Sequence, residues 1–160
     1  MRVRSAEFGD IPRLMEIERQ SPGAAHWSER EYRALFPGAR GDESSQPRRI
    51  CLVAETESAV AGFAVALCLG PEWEIENVVV DSACQRQGYA SVLLRELLSR
   101  AANEGARRVL LEVRESNQVA RAFYDRWGFQ AIGRRRSYYR DPVEDAILLQ
   151  FMCKNHSLQT

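Results

Sequence analysis

The sequence predicts an α/β domain built on a mixed sheet. Two observations carry that expectation: strand-like segments joined by short polar links in the first half, and short apolar strands alternating with amphipathic helices in the second. No internal repeat is visible. At 160 residues the chain is long enough for one well-buried domain and too short for two. Residues 1–155 are therefore read as one domain and 156–160 as a C-terminal tail.

Arg2-Val3-Arg4 alternates as a strand does, and opens the sheet. Asp10 caps a helix with Pro12 in its first turn, and Ile11, Leu14, Met15 and Ile17 recur near helical spacing. After the loop residues Ser21-Pro22-Gly23, a second short helix starts at Ser28, with Glu31 completing a capping box. Tyr32, Leu35 and Phe36 form its apolar face. Residues 37–49 are rich in Pro, Gly, Ser and charge and read as a mobile loop.

Ile50 to Ala54 and Val60 to Leu69 read as a hairpin joined by Glu55-Thr56-Glu57-Ser58, and a third strand runs from about Trp73 to Val80. Gln85 to Ala90 then leads into a helix with Leu93, Leu94, Leu97, Leu98 and Ala101 on one face and Gly105 as its stop. Val109 to Val113 is a short buried strand. A further helix from about Asn117 sets Val119, Ala122, Phe123 and Trp127 inward and ends at Gly128. Phe129 to Ile132 and Ala146 to Met152 close the chain as two strands around an arginine-rich excursion.

Charge and cysteine usage exclude several classes. The 22 basic side chains are cancelled by 22 acidic ones, which argues against electrostatic binding of nucleic acid. Arg134-Arg135-Arg136 and Arg140 form a local basic cluster, read first as a solvated hairpin tip. The longest apolar run, Ala59 to Leu69, is too short to cross a bilayer, and no apolar segment follows Met1-Arg2-Val3-Arg4 to make a signal peptide. Cys51, Cys68, Cys84 and Cys153 stand alone, so neither a metal site nor a disulfide framework is expected. A cytoplasmic location without membrane partner follows as an expectation.

The strand Asn77-Val78-Val79-Val80-Asp81, a glycine-containing loop and an amphipathic helix together make a candidate anion site. A helix N-terminus presents free N–H groups and partial positive charge. Gly88 admits a bulky phosphate close to the backbone, and Arg86 and Gln87 add donors. An ordinary strand-to-helix turn would need no more than the same glycine.

The segment Gln85-Arg86-Gln87-Gly88-Tyr89-Ala90 resembles the pyrophosphate-binding signature of GNAT acetyltransferases, with Ala90 at a position that is often Gly. Leu111-Glu112-Val113-Arg114-Glu115-Ser116-Asn117, Ala122-Phe123-Tyr124, Gly128-Phe129, Arg135-Arg136-Ser137-Tyr138-Tyr139 and Glu144-Asp145-Ala146 are similar to the RimI-like branch of that family. Trp27-Ser28-Glu29 is similar too. Members of the branch acetylate protein N-termini, typically the N-terminal alanine of a small-subunit ribosomal protein. The resemblance covers roughly residues 73–150. It implies the GNAT acyl-CoA N-acyltransferase fold, an α/β (α+β) sheet splayed at Val78, Val79 and Val80 with helices on both faces. It also implies acetyl-CoA as co-substrate, held by Gln85 to Ala90, by the Val78 to Val80 strand end and by Asn117, with no metal.

Glu112 interrupts the apolar run Val109 to Val113. A buried carboxylate must be paired, protonated or at a watered strand end; Arg114, Arg107 or exposure at a sheet edge would satisfy it. In a partly dry site it would have a raised pKa and accept a proton near neutrality. The resemblance implies that role, general base, for Glu112. Tyr124, which the helical stripe turns away from Phe123 and Trp127, reads from spacing alone as a surface residue; the resemblance makes it the proton donor to the departing thiolate. Glu74 and Glu76 share a strand face with Val78 and are alternative bases, solvent-facing residues or contacts for a cationic substrate. Asn117 is a helix N-cap, a contact to the CoA arm, or both. Tyr138 and Tyr139 are either an aromatic strand pair or, by resemblance, a clamp on the acceptor peptide, with Trp27 on the facing wall. Arg134 to Arg136 could steer an acidic substrate segment or the CoA phosphates. The expected reaction is direct acetyl transfer from acetyl-CoA to an amine. A small-molecule acetyltransferase and a catalytically silent acyl-CoA-binding module are the alternatives.

Overall fold

The computed structural model describes residues 1–36 and 47–154. β1 (Arg2–Ser5), β2 (Arg48–Glu55), β3 (Val60–Leu69) and β4 (Glu72–Val80) form an antiparallel meander. β4 runs parallel to β5 (Arg108–Arg114), and that step needs a crossover, supplied by the helix α3 (Tyr89–Asn103). β5 then takes β7 (Val143–Met152) on its other edge, and β6 (Gln130–Arg140) pairs outside β7. The seven strands lie in the order β1-β2-β3-β4-β5-β7-β6. This is the mixed sheet expected from the sequence.

Helices cover both faces. α1 (Ile11–Arg19) and α2 (Glu29–Arg33) pack on Cys51, Val53, Phe63, Val65 and Val79. α3 and α4 (Gln118–Arg126) pack on Leu52, Ala54, Ala64, Ala66, Val109 and Leu111. Neighbouring residues of one strand thus feed opposite cores, so β2 and β3 read as nearly continuous apolar runs. Leu93, Leu94 and Leu97 of α3 are fully buried, and each contributes about 1.5–3 kcal/mol of hydrophobic stabilisation. Gly105, at φ 81°, ends that helix in the left-handed region. The Ser28–Glu31 capping box forms at the start of α2 as expected: Ser28 accepts from Glu31 N–H, and Glu31 accepts from Ser28 N–H.

Several expectations are corrected. β2 begins at Arg48, so Arg48 and Arg49 belong to the sheet; residues 37–46 of the expected mobile loop lie outside the described residues, as does the 156–160 tail. The arginine-rich excursion is itself strand, because β6 extends to Arg140. The inner stripe of α4 is also shifted by one residue. Val119 is 84% exposed and Ala122 is exposed, whereas Ala120, Phe123, Tyr124 and Trp127 pack inward at i, i+3, i+4 and i+7. Tyr124 is therefore a buried residue, not a surface one.

The departure that shapes the site is in β4. Val65 pairs with Asn77 and Ala66 with Ile75, leaving Glu76 as an extra, unpaired bulge residue. The β4–β5 ladder stops at Ile75↔Leu111, the same place. The bulge also reverses the strand's facing. Trp73 and Ile75 pack toward α3, whereas Val79 packs toward α1 and Asn77 bonds Glu18 of α1. Val78 consequently packs with the α3 cluster and does not share a face with Glu74, as strict alternation had predicted. Gly62 on β3 is needed opposite this region, since a Cβ there would lie 2.7 Å from the Val79 carbonyl oxygen.

Candidate active site

Where β4 and β5 part, they open a cleft of about 490 Å3. β4 contributes Glu74 to Val78, and β5 contributes Leu111 to Arg114. The loop between α1 and α2 supplies Gly23 to Trp27, β6 supplies Tyr138 and Tyr139, and α4 with its cap supplies Asn117, Ala120 and Tyr124. Trp27, Glu74, Glu76, Val78, Glu112, Asn117, Tyr124, Tyr138 and Tyr139, all singled out in the sequence, meet in this one cavity. Val79, Val80 and Gln85 to Ala90 do not line it.

The three carboxylates sit in different surroundings. Glu112 pairs with Arg135, Oε1 to Nε 2.7 Å, and its side chain is 14% exposed. Arg135 thus takes the place of the Arg107 and Arg114 partners expected from proximity in sequence; the hairpin β6–β7 brings it over the sheet. Glu76 accepts from two of the three guanidinium nitrogens of Arg49, Nε at 2.7 Å and Nη2 at 2.9 Å. Glu74 has no ion pair among the described residues, and its carboxyl is pushed up first by burial and then by Glu112 and Glu76. It is the carboxylate most able to receive a cation from the cleft.

Two adjacent tyrosines of a regular strand would face opposite ways. Here Arg135 pairs with Ala146 and Tyr139 with Glu144, so β6 carries extra residues at this point, and Ser137 sits at φ 49°. Asp145 accepts from the Ser137 N–H at 2.8 Å and fixes the kink. Both Tyr138 and Tyr139 then reach the cleft, their rings edge to face with centroids 5.1 Å apart. Arg114 lies over Tyr139 at 4.1 Å and Arg135 over Tyr138 at 5.4 Å. Their phenols are raised, Tyr138 first by the charge of Glu112 and Tyr139 first by burial. Tyr124 packs between Phe123 and Phe129, and burial alone raises its phenol well above the ordinary value. It therefore stays protonated and is a hydrogen-bond donor at neutral pH. Asn117 caps α4, its Oδ1 accepting from Ala120 N–H at 3.1 Å.

On the unpaired edge of β4 the backbone is available. Asp81 N–H donates to Ala61 O on β3, so alternation turns the Val79 amide toward β3 and the Val80 and Val78 amides toward the gap. Just beyond, Gly88 caps α3 at φ 92°, without a side-chain cap and with no acid in the first turn. That is an uncompensated positive helix end. Asp81 shapes the loop by accepting from Ala83 N–H and is anchored by Arg13 at 2.5 Å. Gln87 donates to Ala83 O and Gln85 to Val80 O, so these side chains brace the loop, while Arg86, at φ 59°, is exposed. A Cβ added to Gly88 would point into open space.

Sequence reasoning missed Arg135 as the partner of Glu112, the link from Asn77 in the cleft wall to Glu18 behind it, and Gly23 to His26 in the wall. Gly23 to His26 were marked only by adjoining Trp27, and Glu18 carried no local signal. Cys51 is buried, its thiol pushed up to about 12 by that burial. Among the described residues no cluster of His, Cys, Asp and Glu could hold a metal ion, and no helix is long and apolar enough to cross a membrane.

The model of the acetyltransferase (GNAT) family matches residues 11–129. The [ribosomal protein bS18]-alanine N-acetyltransferase of Haemophilus ducreyi is 34% identical over 145 residues, covering 88% of this chain and 92% of that protein. The enzyme of the same name from Escherichia coli is 33% identical over 150 residues, covering 92% and 94%. The crystal structure of the ribosomal-protein-S18-alanine N-acetyltransferase from Escherichia coli superposes with a TM-score of 0.82 at 28% identity, over 99% of this chain and 97% of that one.

Proposed function

Because the chain belongs to the GNAT acetyltransferase family and is an acetyl-CoA-dependent N-acetyltransferase, we propose that its acceptor is the α-amino group of a protein, a ribosomal protein with N-terminal alanine being the first candidate. The observation that carries this reading is the acceptor half of the cleft. Tyr138, Tyr139 and Trp27 give it aromatic walls suited to a peptide backbone, and they end on the carboxylates at the splay. A cytoplasmic setting goes with such an acceptor.

The acetyl-CoA arm enters between β4 and β5, its pyrophosphate at the α3 N-terminus. The acceptor ammonium meets Glu74 and Glu112. An α-ammonium has a pKa of about 8, so a nearby carboxylate needs little basicity to take its proton. Glu112 accepts that proton, directly or through water, and the free amine attacks the thioester carbonyl. The carbonyl oxygen gains negative charge opposite the Val80 and Val78 amides, which are fixed in place before the reaction. As the C–S bond breaks, Tyr124 donates its hydroxyl proton to the sulfur, while the attacking nitrogen sheds its second proton to water and the tyrosine is reprotonated from that water. Attack within a ternary complex needs both substrates bound together. Initial rates with an alanine-starting peptide and acetyl-CoA varied together should therefore give intersecting reciprocal plots; parallel plots would point to an acetyl-enzyme instead.

A further inference from the structure

Glu18 is 2% exposed and takes no part in the chemistry above. An ionised carboxylate so deeply buried is unfavourable unless its oxygens are hydrogen-bonded. Both are. Oε1 accepts from Nδ2 of Asn77 at 2.8 Å, and Oε2 accepts from the backbone N–H of Trp27 at 3.0 Å. Asn77 follows the bulge residue Glu76 on β4, and Trp27 lies in the α1–α2 loop; both line the cleft. A single carboxylate therefore ties the acceptor wall to the strand at the point where the sheet splits.

The loop's other polar bonds are local, among them His26 Nε2 with Pro22 O at 3.4 Å and Ala24 N–H to Ser21 O at 3.0 Å. His26, immediately before Trp27, sits in the left-handed region at φ 55°, a strained conformation for a residue with a side chain. Tyr32 packs its ring 5.6 Å from that of Trp27, and its buried phenol, raised first by burial and then by Glu18, faces the same carboxylate without completing a well-aligned hydrogen bond. The polar link from the loop to β4 runs through Glu18.

We infer that Glu18 is a positioning residue for the acceptor: by fixing Trp27 against Asn77 it sets the width of the acceptor half of the cleft and leaves acetyl-CoA binding alone. This inference rests on the reading of that half as the acceptor site. Its test uses the charge logic of the pair. Asn77 and Trp27 both donate, so Glu18→Ala removes both bonds. Glu18→Gln keeps both if the Asn77 amide turns to present its oxygen. Asn77→Asp sets two buried carboxylates against each other, and combining it with Glu18→Gln restores one carboxylate and one amide.

Steady-state rates with an alanine-starting peptide and acetyl-CoA, with melting temperature recorded for each variant, decide the matter. Glu18→Ala should raise the peptide KM about tenfold or more while the acetyl-CoA KM stays within about twofold. Glu18→Gln should stay near wild type, and the double variant should recover most of what Asn77→Asp loses. A merely structural role would lower melting temperature with both KM values unchanged or moving together, and that result would overturn the inference. If Asn77→Asp does not fold, the double variant still reads the pair, and a peptide KM unlike that of Glu18→Gln counts against it. A wild-type enzyme inactive on every peptide would instead remove the acceptor reading itself.

Discussion

Arg135 on β6 reaches across β7 to Glu112 on β5, joining the two with Nε and Oε1 2.7 Å apart. The base proposed for the reaction is thus held by the strand that also carries the two acceptor tyrosines. Arg135 is 60% exposed, so this pair is weak in stability terms and acts through orientation. Glu112→Gln keeps the shape and removes the proton acceptor. Turnover should fall about 10²-fold or more, with CoA affinity by calorimetry nearly unchanged. Should Glu112→Gln remain active while Glu74→Gln is dead, the base lies on β4.

Glu74 gives a pH-dependent prediction of definite sign. Its carboxyl is raised by burial and by neighbouring carboxylates, so the folded protein binds that proton more tightly than the unfolded chain. Stability from this group is present below the ordinary carboxylate value and is lost as pH rises through the raised one. Glu74→Gln should therefore raise the melting temperature at pH 7 to 8 (about neutral conditions) and bring no gain near pH 4 (roughly the unfolded value). A variant less stable than wild type at neutral pH would show that Glu74 has a stabilising partner.

What could be read in the sequence was mostly local. The leucines of α3 and the Ser28–Glu31 box lie within one or two helical turns, so spacing alone revealed them. The α4 stripe was displaced because Val119 was counted as its first apolar position, which turned Tyr124 outward, whereas Val119 is exposed and the Tyr124 ring packs between Phe123 and Phe129. The Glu76 bulge left no mark in the residues, since it arises from how β3 and β4 align. Residues far apart in sequence were the hardest to connect. Arg135 and Glu112 are 23 positions apart, and Glu18 and Asn77 are 59 apart; only the folded sheet brings each pair together.

Gly88 tests the phosphate site. In the left-handed region any side chain costs about 1–2 kcal/mol, yet a Cβ here meets no protein atom within 4 Å. Gly88→Ala should therefore lose a modest part of its stability but at least about tenfold in CoA affinity, because the new methyl occupies the approach to the phosphates. Calorimetry on the folded variant measures this directly, and undiminished affinity would move the phosphate site elsewhere.

Tyr124→Phe removes one hydroxyl and leaves the packed ring. As proton donor to the thiolate, Tyr124 should show its loss in turnover at saturating acetyl-CoA, roughly 10²-fold, with little change in melting temperature. A hydroxyl that only supported the helix would cost about 1 kcal/mol of stability and leave activity intact.

The cleft should acetylate a protein α-amine and spare lysine side chains. A peptide that starts with alanine and also contains lysine, incubated with enzyme and acetyl-CoA, can be mapped by tandem mass spectrometry beside the same peptide already blocked at its N-terminus. One acetyl group should appear on the α-amine of the free peptide, and none on the blocked one. Acetylation of the lysine side chain in both peptides, or CoA binding without transfer to either, would contradict the account.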